Sequence, residues 1–147
     1  ELYREGKIKA IGVSNFDSQQ LTDLIEYAEV APMVNQIETS PFFQQYKMQG
    51  ANKFLNIQTE AWSPFAQGRK NLFSNPTLAA IAKKHNKSIA QVTLRWIIQR
   101  EIVAIPRTSD VAQMLENINI FDFELDSTDI DQILTLDLDT TQFPEWN

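Results

Sequence analysis

The 147-residue sequence contains no cysteine, which excludes disulfides and thiolate metal sites. Glycine occurs only four times, and no G-x-G-x-x-G turn follows an apolar segment, which argues against a doubly wound dinucleotide-binding fold. No apolar run approaches the roughly 20 residues that a transmembrane helix needs. The first residues also lack the charged-then-apolar layout of a signal peptide. We therefore expect a cytoplasmic protein with no membrane partner.

Positive charge is scarce relative to negative charge. The 13 Lys and Arg residues and the 19 Asp and Glu residues give a net charge of −6. Because phosphate backbones attract basic surfaces, this balance argues against nucleic acid as a partner. The length and the 43% hydrophobic content suffice for one domain with a buried core. The single histidine, His85, lies in the polar stretch Lys83–Lys87 at a predicted helix end, where we expect a solvated or C-capping role.

Four short apolar segments alternate with segments of helical periodicity. The predicted strands are Lys7–Val13, Met33–Glu38, Ile57–Trp62 and Ile102–Ile105, and the predicted helices cover about 18–28, 44–55, 76–85, 88–98, 111–118 and 127–136. This alternation predicts an α/β fold with a parallel sheet, either open or closed as a barrel. The missing glycine turn and the polar residues at the strand ends favour the barrel. A complete barrel has eight such units and about 250 residues, and this chain has four units.

The loop after the last predicted strand contains a cation and two hydroxyls. Pro106 ends the strand, and Arg107, Thr108 and Ser109 precede Asp110, a candidate N-cap of the next helix. Unpaired N–H groups and the positive end of a helix dipole favour phosphate, and a guanidinium can bind it bidentately. The alternative is an ordinary connection between strand and helix with a solvated arginine.

Several motifs together resemble one family. They are Gly6-Lys-Ile-Lys-Ala-Ile-Gly-Val-Ser-Asn-Phe16, Val34-Asn-Gln-Ile-Glu38, Glu60-Ala-Trp-Ser-Pro64, Ala90-Gln-Val-Thr-Leu-Arg-Trp96, Ile105-Pro-Arg-Thr-Ser109, Glu116-Asn-Ile118 and Phe121-Asp-Phe-Glu-Leu125. From Glu1 to about Leu136 the chain resembles the C-terminal half of the aldo-keto reductases. The resemblance implies a (β/α)8 TIM barrel of which residues 1–147 supply the last four units, a C-terminal helix and a loose tail from about residue 138. It also implies hydride transfer between NADP(H) and an aldehyde or ketone, without metal or flavin.

The resemblance further implies a set of cofactor-binding residues. They are Ser14, Asn15 and Gln36 for the nicotinamide carboxamide, Trp62 for stacking on the ring, Ser63 and Phe65 for the pyrophosphate, Arg107, Thr108 and Ser109 for the 2′-phosphate, and Glu116 and Asn117 for the adenine ribose and base. Amides and hydroxyls can fix the rotation of the ring, and an indole can stack on it. The alternatives are a core aromatic at Trp62 and structural polar residues at Asn15 and Gln36.

Two departures from the family pattern change these expectations. Gln113 stands where many relatives carry an arginine toward the 2′-phosphate, which removes a charge-assisted contact, although NADP(H) stays favoured over NAD(H). The family's catalytic residues lie in the first four units, so no catalytic residue can be named here. We therefore expect the chain alone to be inactive.

The expected partners follow from the same four units. They are a small carbonyl substrate and either the missing N-terminal half of the barrel or a second copy of the chain, because four units leave two strand edges unpaired. An alternative function is a non-catalytic nucleotide-binding or assembly module derived from a truncated reductase.

Overall fold

The computed structural model describes residues 1–146; Asn147, the last residue of the expected tail, lies outside this range. The strands are β1 (Gly12–Ser14), β2 (Val34–Glu38), β3 (Gln58–Trp62) and β4 (Val103–Ala104). The α-helices are α1 (Ser18–Tyr27), α2 (Tyr46–Phe54), α3 (Pro76–His85), α4 (Ile89–Gln99), α5 (Val111–Ile118) and α6 (Ser127–Leu134), with 3-10 turns at Ala66–Ser74 and Pro144–Trp146. None of these described helices is long and apolar enough to span a bilayer.

All strand pairs of the described sheet are parallel, and the strand order is β1-β2-β3-β4. Each helical crossover therefore connects a strand to its immediate neighbour. A doubly wound sheet would reverse its order at a switch point, whereas a barrel keeps the sequential order. The topology confirms the predicted parallel α/β arrangement and is that of consecutive barrel units.

The two outer strands are shorter than predicted. β1 begins at Gly12 rather than Lys7, because its ladder begins where Gly12 faces Val34, the first residue of β2. A Cβ at Gly12 would lie 2.8 Å from the Val34 carbonyl oxygen, so only glycine permits this approach. β4 is confined to Val103–Ala104, since the Ile102 N–H donates to the Ile97 carbonyl at the end of α4.

Local capping signals set most of the helix starts. Ser88 forms a capping box with Gln91 at the start of α4, and Asp17 forms one with Gln20 at the start of α1. Pro76 occupies the first turn of α3, which begins at the predicted position 76 behind the cap Asn75. The predicted final helix is capped by Asp126, one residue before the predicted start. These starts depend on neighbouring residues alone, which is why the sequence predicts them well.

The hydrophobic core lies between the sheet and α3 and α4. Its buried side chains are Phe42, Ala61, Ala66, Leu72, Leu78, Ile81, Ala82, Val92, Trp96, Ile97, Ile102, Leu125 and Ile133. Trp96 is its largest member and is fully buried. In contrast, α5 buries none of its residues, and its apolar side chains Val111, Leu115 and Ile118 are each about two-thirds exposed.

Candidate functional site

Side chains at the carboxyl ends of the strands form the first part of the candidate site. The register aligns Ser14 with Gln36 and Gln36 with Glu60, so their side chains point to one face of the sheet. Trp62, two residues after Glu60, shares this face. Carboxyl ends of parallel strands carry the active sites of barrel proteins, and this edge therefore qualifies as a site.

Hydrogen bonds link the four predicted nicotinamide residues. The hydroxyl of Ser14 and the backbone N–H of Asn15 both donate to the Gln36 carbonyl, at 3.1 and 3.0 Å. The indole N–H of Trp62 donates to Asn15 Oδ1 at 2.8 Å, and Gln36 Nε2 donates to Glu60 Oε1 at 2.6 Å. Asn15 has a left-handed backbone with a φ of 57°, which asparagine tolerates better than most residues. Residues from three strands are thus held in one network.

A cleft of about 860 Å³ forms the second part of the candidate site. Five of the predicted residues line it, namely Phe65, Arg107, Gln113, Glu116 and Asn117. Arg107 is exposed, and within residues 1–146 its guanidinium has no hydrogen-bond or ion-pair partner. Such a volume accommodates a nucleotide-sized ligand, and an unpaired guanidinium provides an anion-binding group.

The structure does not bring the other predicted residues into this cleft. The hydroxyl of Thr108 contacts the side chain of Gln113 at 2.7 Å and accepts from the Asp110 N–H at 3.0 Å. Thr108 lines a smaller apolar cavity beside α5 instead. Ser109 and Ser63 line neither space, and Ser63 has a left-handed backbone with a φ of 49° that turns the chain after β3.

The C-terminal segment lies over the strand ends, where the sequence analysis expected a loose tail. Phe143 is fully buried, and Gln142 is 5% exposed. The buried carboxylate of Glu38, the last residue of β2, accepts hydrogen bonds from the Thr141 hydroxyl and from the Gln142 N–H at 2.9 Å. Burial raises the pKa of Glu38, although these two hydrogen bonds oppose the rise. Two residues of this segment, Thr141 and Gln142, thus supply the hydrogen-bond donors of a buried carboxylate.

Phe143 connects this segment to the predicted nicotinamide residues. Its ring lies 5.2 Å from that of Trp62, centre to centre. The guanidinium carbon of Arg69 lies 4.3 Å from the Phe143 ring, and Arg69 also pairs with Glu145. An aromatic pair of this kind adds about 0.5–1.5 kcal/mol to simple burial. The segment 141–145 therefore supports Trp62 from one side.

Other residues of this site, among them Glu60, Lys83 and Phe73, were not predicted from the sequence. Glu60 could have been found by the two-residue period of a strand, since it precedes Trp62 by two positions. Lys83 and Phe73 line the cleft with Arg107 and Phe65, and the Phe73 ring contacts that of Phe65 in a tilted arrangement with ring centres 5.6 Å apart. No local signal marks these two, because a helix and an irregular loop converge on the cleft only in the folded chain.

Comparison with known proteins identifies the family. The model of the Aldo/keto reductase family matches residues 1–137. The chain belongs to this family. The family assignment and the (β/α)8 fold class agree with the resemblance drawn from the motifs, and the four parallel units correspond to part of the aldo-keto reductase barrel.

Curated aldo-keto reductases match almost the whole chain. Glyoxal reductase of Bacillus subtilis is 48% identical over 139 residues, which are 95% of this chain and 50% of the relative. Methylglyoxal reductase of Escherichia coli is 40% identical over 137 residues, 93% of this chain and 50% of the relative. The chain thus spans about half the length of the curated relatives that it matches.

Solved aldo-keto reductases share the structure. An aldo-keto reductase from a Medee basin deep-sea metagenome library superposes with a TM-score of 0.91 at 45% identity, covering 95% of this chain and 52% of that chain. The aldo-keto reductase of the silkworm Bombyx mori complexed with NADPH superposes with a TM-score of 0.89 at 34% identity, covering 96% of this chain and 46% of that chain. Structures of this family therefore include a complex with NADPH.

Proposed function

We propose that this chain is the cofactor-binding part of an enzyme that transfers hydride between NADP(H) and an aldehyde or ketone. One observation carries the proposal: most of the predicted residues gather in two groups, the hydrogen-bonded network at the strand ends and the cleft with the unpaired Arg107. The NADPH complex of a silkworm relative supports the choice of cofactor.

The residues present fit the two ends of such a cofactor. Trp62, Asn15 and Gln36 would hold the nicotinamide, since they offer a stacking face and amide groups at one sheet edge. The cleft would hold the adenosine, with Glu116 and Asn117 at its wall and Arg107 toward the 2′-phosphate. When bound, the cofactor supplies the hydride; the protein supplies orientation and exclusion of water.

The general acid for the carbonyl oxygen must come from elsewhere than the described tyrosines. Tyr27 is 82% exposed on α1, Tyr46 packs against Arg100, and Tyr3 lies in a turn near the start of the chain. None of the three lies beside Trp62. We therefore infer that these 147 residues alone do not reduce carbonyls, and that further βα units supply the acid.

Exposed apolar surface supports a partner for the sheet. Val103 and Ile105 at one edge and Ile8 near the other are each about 40% exposed, and the apolar side chains of α5 are more so. A further half-barrel, or a second copy of the chain, would cover these groups and pair both edges. Relatives named for the reduction of glyoxal and methylglyoxal support a small carbonyl compound as the substrate.

The preference for NADPH over NADH tests the proposal. In the complete polypeptide that contains this sequence, Arg107→Ala should weaken NADPH about ten- to a hundred-fold, because a charged hydrogen bond to phosphate contributes roughly 1.5–3 kcal/mol. NADH, which lacks the 2′-phosphate, should bind with nearly unchanged affinity. Titration of both cofactors, followed by quenching of tryptophan fluorescence, measures the two dissociation constants.

Arg4→Ala is the matched control, since Arg4 is an exposed arginine that pairs with Glu29 outside the cleft. It should change neither constant. Equal losses for NADPH and NADH in Arg107→Ala would show that Arg107 supports the loop rather than contacts the phosphate. Absence of NADPH binding by the unaltered protein would refute the proposed function.

A further inference from the structure

Glu60 is a carboxylate in the strand-end network to which no cofactor contact has been assigned. It lies in β3, half-buried, in register with Gln36 of β2. Its Oε1 accepts from Gln36 Nε2 at 2.6 Å, a short, charge-assisted hydrogen bond. Glu60 therefore fixes the side chain of Gln36, which in turn stands beside Ser14 and Asn15.

The hydrogen bonds determine which end of each amide is available to a ligand. A carboxylate accepts only, so Gln36 turns its NH2 group toward Glu60 and its oxygen away from it. An indole N–H donates only, so Asn15 turns its oxygen toward Trp62 and leaves its NH2 group available. Within residues 1–146, neither Gln36 Oε1 nor Asn15 Nδ2 has a hydrogen-bond partner.

An acceptor and a donor, side by side, match a ligand carboxamide in one orientation only. The carboxamide NH2 would donate to Gln36, and the carboxamide oxygen would accept from Asn15. Rotating the carboxamide by half a turn would place its NH2 group against the NH2 group of Asn15 and its oxygen against the oxygen of Gln36, so neither hydrogen bond could form. The polarity of the site thus depends on Glu60 at one end and on Trp62 at the other.

We propose that Glu60 is a positioning residue for the nicotinamide: it holds the Gln36 amide so that the amide oxygen accepts from the carboxamide NH2. This inference rests on the proposed function, because it requires that the nicotinamide binds at the network. It assigns to Glu60 the rotation of the ring, and hence the face that is offered to the carbonyl substrate.

A cofactor analogue without the NH2 group tests the inference. In 3-acetylpyridine adenine dinucleotide phosphate a methyl group replaces this NH2. The complete polypeptide that contains this sequence should bind NADP+ about 3- to 10-fold more tightly than the analogue, the usual value of one neutral hydrogen bond. In Glu60→Leu, where the Gln36 amide is free to rotate, this ratio should fall to about 1. Glu60→Gln can meet Gln36 with either end of its own amide, so its ratio should lie between these values.

A variant of the partner residue completes the cycle. Gln36→Leu should lower the ratio as far as Glu60→Leu does, and the double variant should lower it no further. Glu101→Gln is the charge control, because Glu101 is an exposed carboxylate paired with Lys53 at the opposite end of the sheet. It should keep the ratio of the unaltered protein. Circular dichroism of each variant confirms that it is folded, and Glu60→Gln replaces Glu60→Leu if the latter does not fold.

The possible results are distinct. An unchanged ratio in Glu60→Leu, or an additive double variant, would overturn the positioning role while leaving cofactor binding intact. Failure of the unaltered protein to bind NADP+ at all would overturn the proposed function and this inference together. A uniform loss of affinity for both cofactors would show that Glu60 acts on the fold of the site rather than on the carboxamide.

Discussion

Helices α4 and α5 flank the same short strand, β4, yet they differ in what covers them. In α4, seven consecutive residues from Gln91 to Ile97 are buried, including polar ones. In α5 no residue is buried, although its apolar side chains recur at helical spacing. The two helices pack against each other, and an apolar cavity of about 290 Å³ lies between α5 and the α4 residues Leu94 and Ile98.

The difference shows that an amphipathic pattern identifies the apolar face of a helix but does not show which part of the protein packs against that face. The sheet, α3 and α6 provide that surface for α4 and the core around it. The apolar face of α5 has no such cover among residues 1–146. Stability should therefore be distributed unevenly, with α4 at the high end and α5 at the low end.

The largest expected effect contrasts one large apolar residue from each helix. Trp96→Ala should lower the free energy of unfolding of the 147-residue chain by about 3–5 kcal/mol, because it leaves a large cavity at a fully buried position. Leu115→Ala should change it by no more than about 0.5 kcal/mol, since Leu115 is 66% exposed. Urea unfolding followed by circular dichroism measures both.

The same pair also tests whether a partner covers α5. In the complete polypeptide, a covering half-barrel should raise the cost of Leu115→Ala to about 2–5 kcal/mol, the range for buried leucine. Equal costs for the two variants in the 147-residue chain would contradict the contrast between the helices.

The sequence predicted the elements around both helices because capping and periodicity are local. Ser88 and Pro76 are capping and first-turn residues wherever the chain folds. The strand limits were wrong at Lys7 and at Ile102–Ile105, because a strand ends where its partner ends, and the partner lies elsewhere in the chain. The sequence also did not distinguish α4 from α5, since both have an apolar stripe.

A second prediction concerns the buried carboxylate that joins α3 to α6. Asp129 is 2% exposed and accepts from Lys84 at 2.8 Å and contacts His85 Nε2 at 2.7 Å. Burial alone would raise the pKa of Asp129, but the hydrogen bonds from Lys84, His85 and the Asp126 N–H outweigh it and lower the pKa. A lowered pKa means that the carboxylate stabilises the folded state above its unfolded pKa of about 3.9, and that this stabilisation is lost as the pH falls further.

Asp129→Asn should therefore cost about 1–3 kcal/mol near neutral pH, and less below about pH 4. Chemical unfolding at a series of pH values measures this dependence. Asp131→Asn, on the exposed side of the same helix, should have little effect at any pH. A cost for Asp129→Asn that did not shrink at low pH would argue against stabilisation by the ionised carboxylate.

The smallest expected effect compares two N-caps. Asp126 caps α6 and Asp110 caps α5, each through a carboxylate that accepts from backbone N–H groups of the first turn. Asp126→Ala should measurably lower the free energy of global unfolding, because it leaves a first-turn N–H of α6 without its cap. Asp110→Ala should lower it very little, because α5 can fray without exposing the core, and it should instead speed hydrogen exchange at Ala112 and Gln113. Equal global costs would show that α5 unfolds together with the core.

In the candidate site, too, residues within local motifs could be predicted, whereas a contact between distant parts of the chain could not. Asn15, Gln36 and Trp62 were predicted from the motifs that resemble the family, which are contiguous in the sequence, and hydrogen bonds join the three residues in the sheet. The hydrogen bond from the Thr141 hydroxyl to the Glu38 carboxylate was not predicted, since the two residues are 103 positions apart and the tail composition is polar. Local sequence patterns predict the helices and strands and the polar residues at their ends. Which distant residues form hydrogen bonds with those polar residues depends on the tertiary structure.

That 103-residue separation also has a consequence during translation. A ribosome that adds about 5–20 residues per second needs roughly 5–20 s to proceed from Glu38 to Thr141. Throughout this interval β2 can pair with β1, but the hydrogen-bond donors of the Glu38 carboxylate, at Thr141 and Gln142, have not yet been synthesised. The strand ends thus remain open in the nascent chain, and the segment that closes over them is the last part of the described structure to be made.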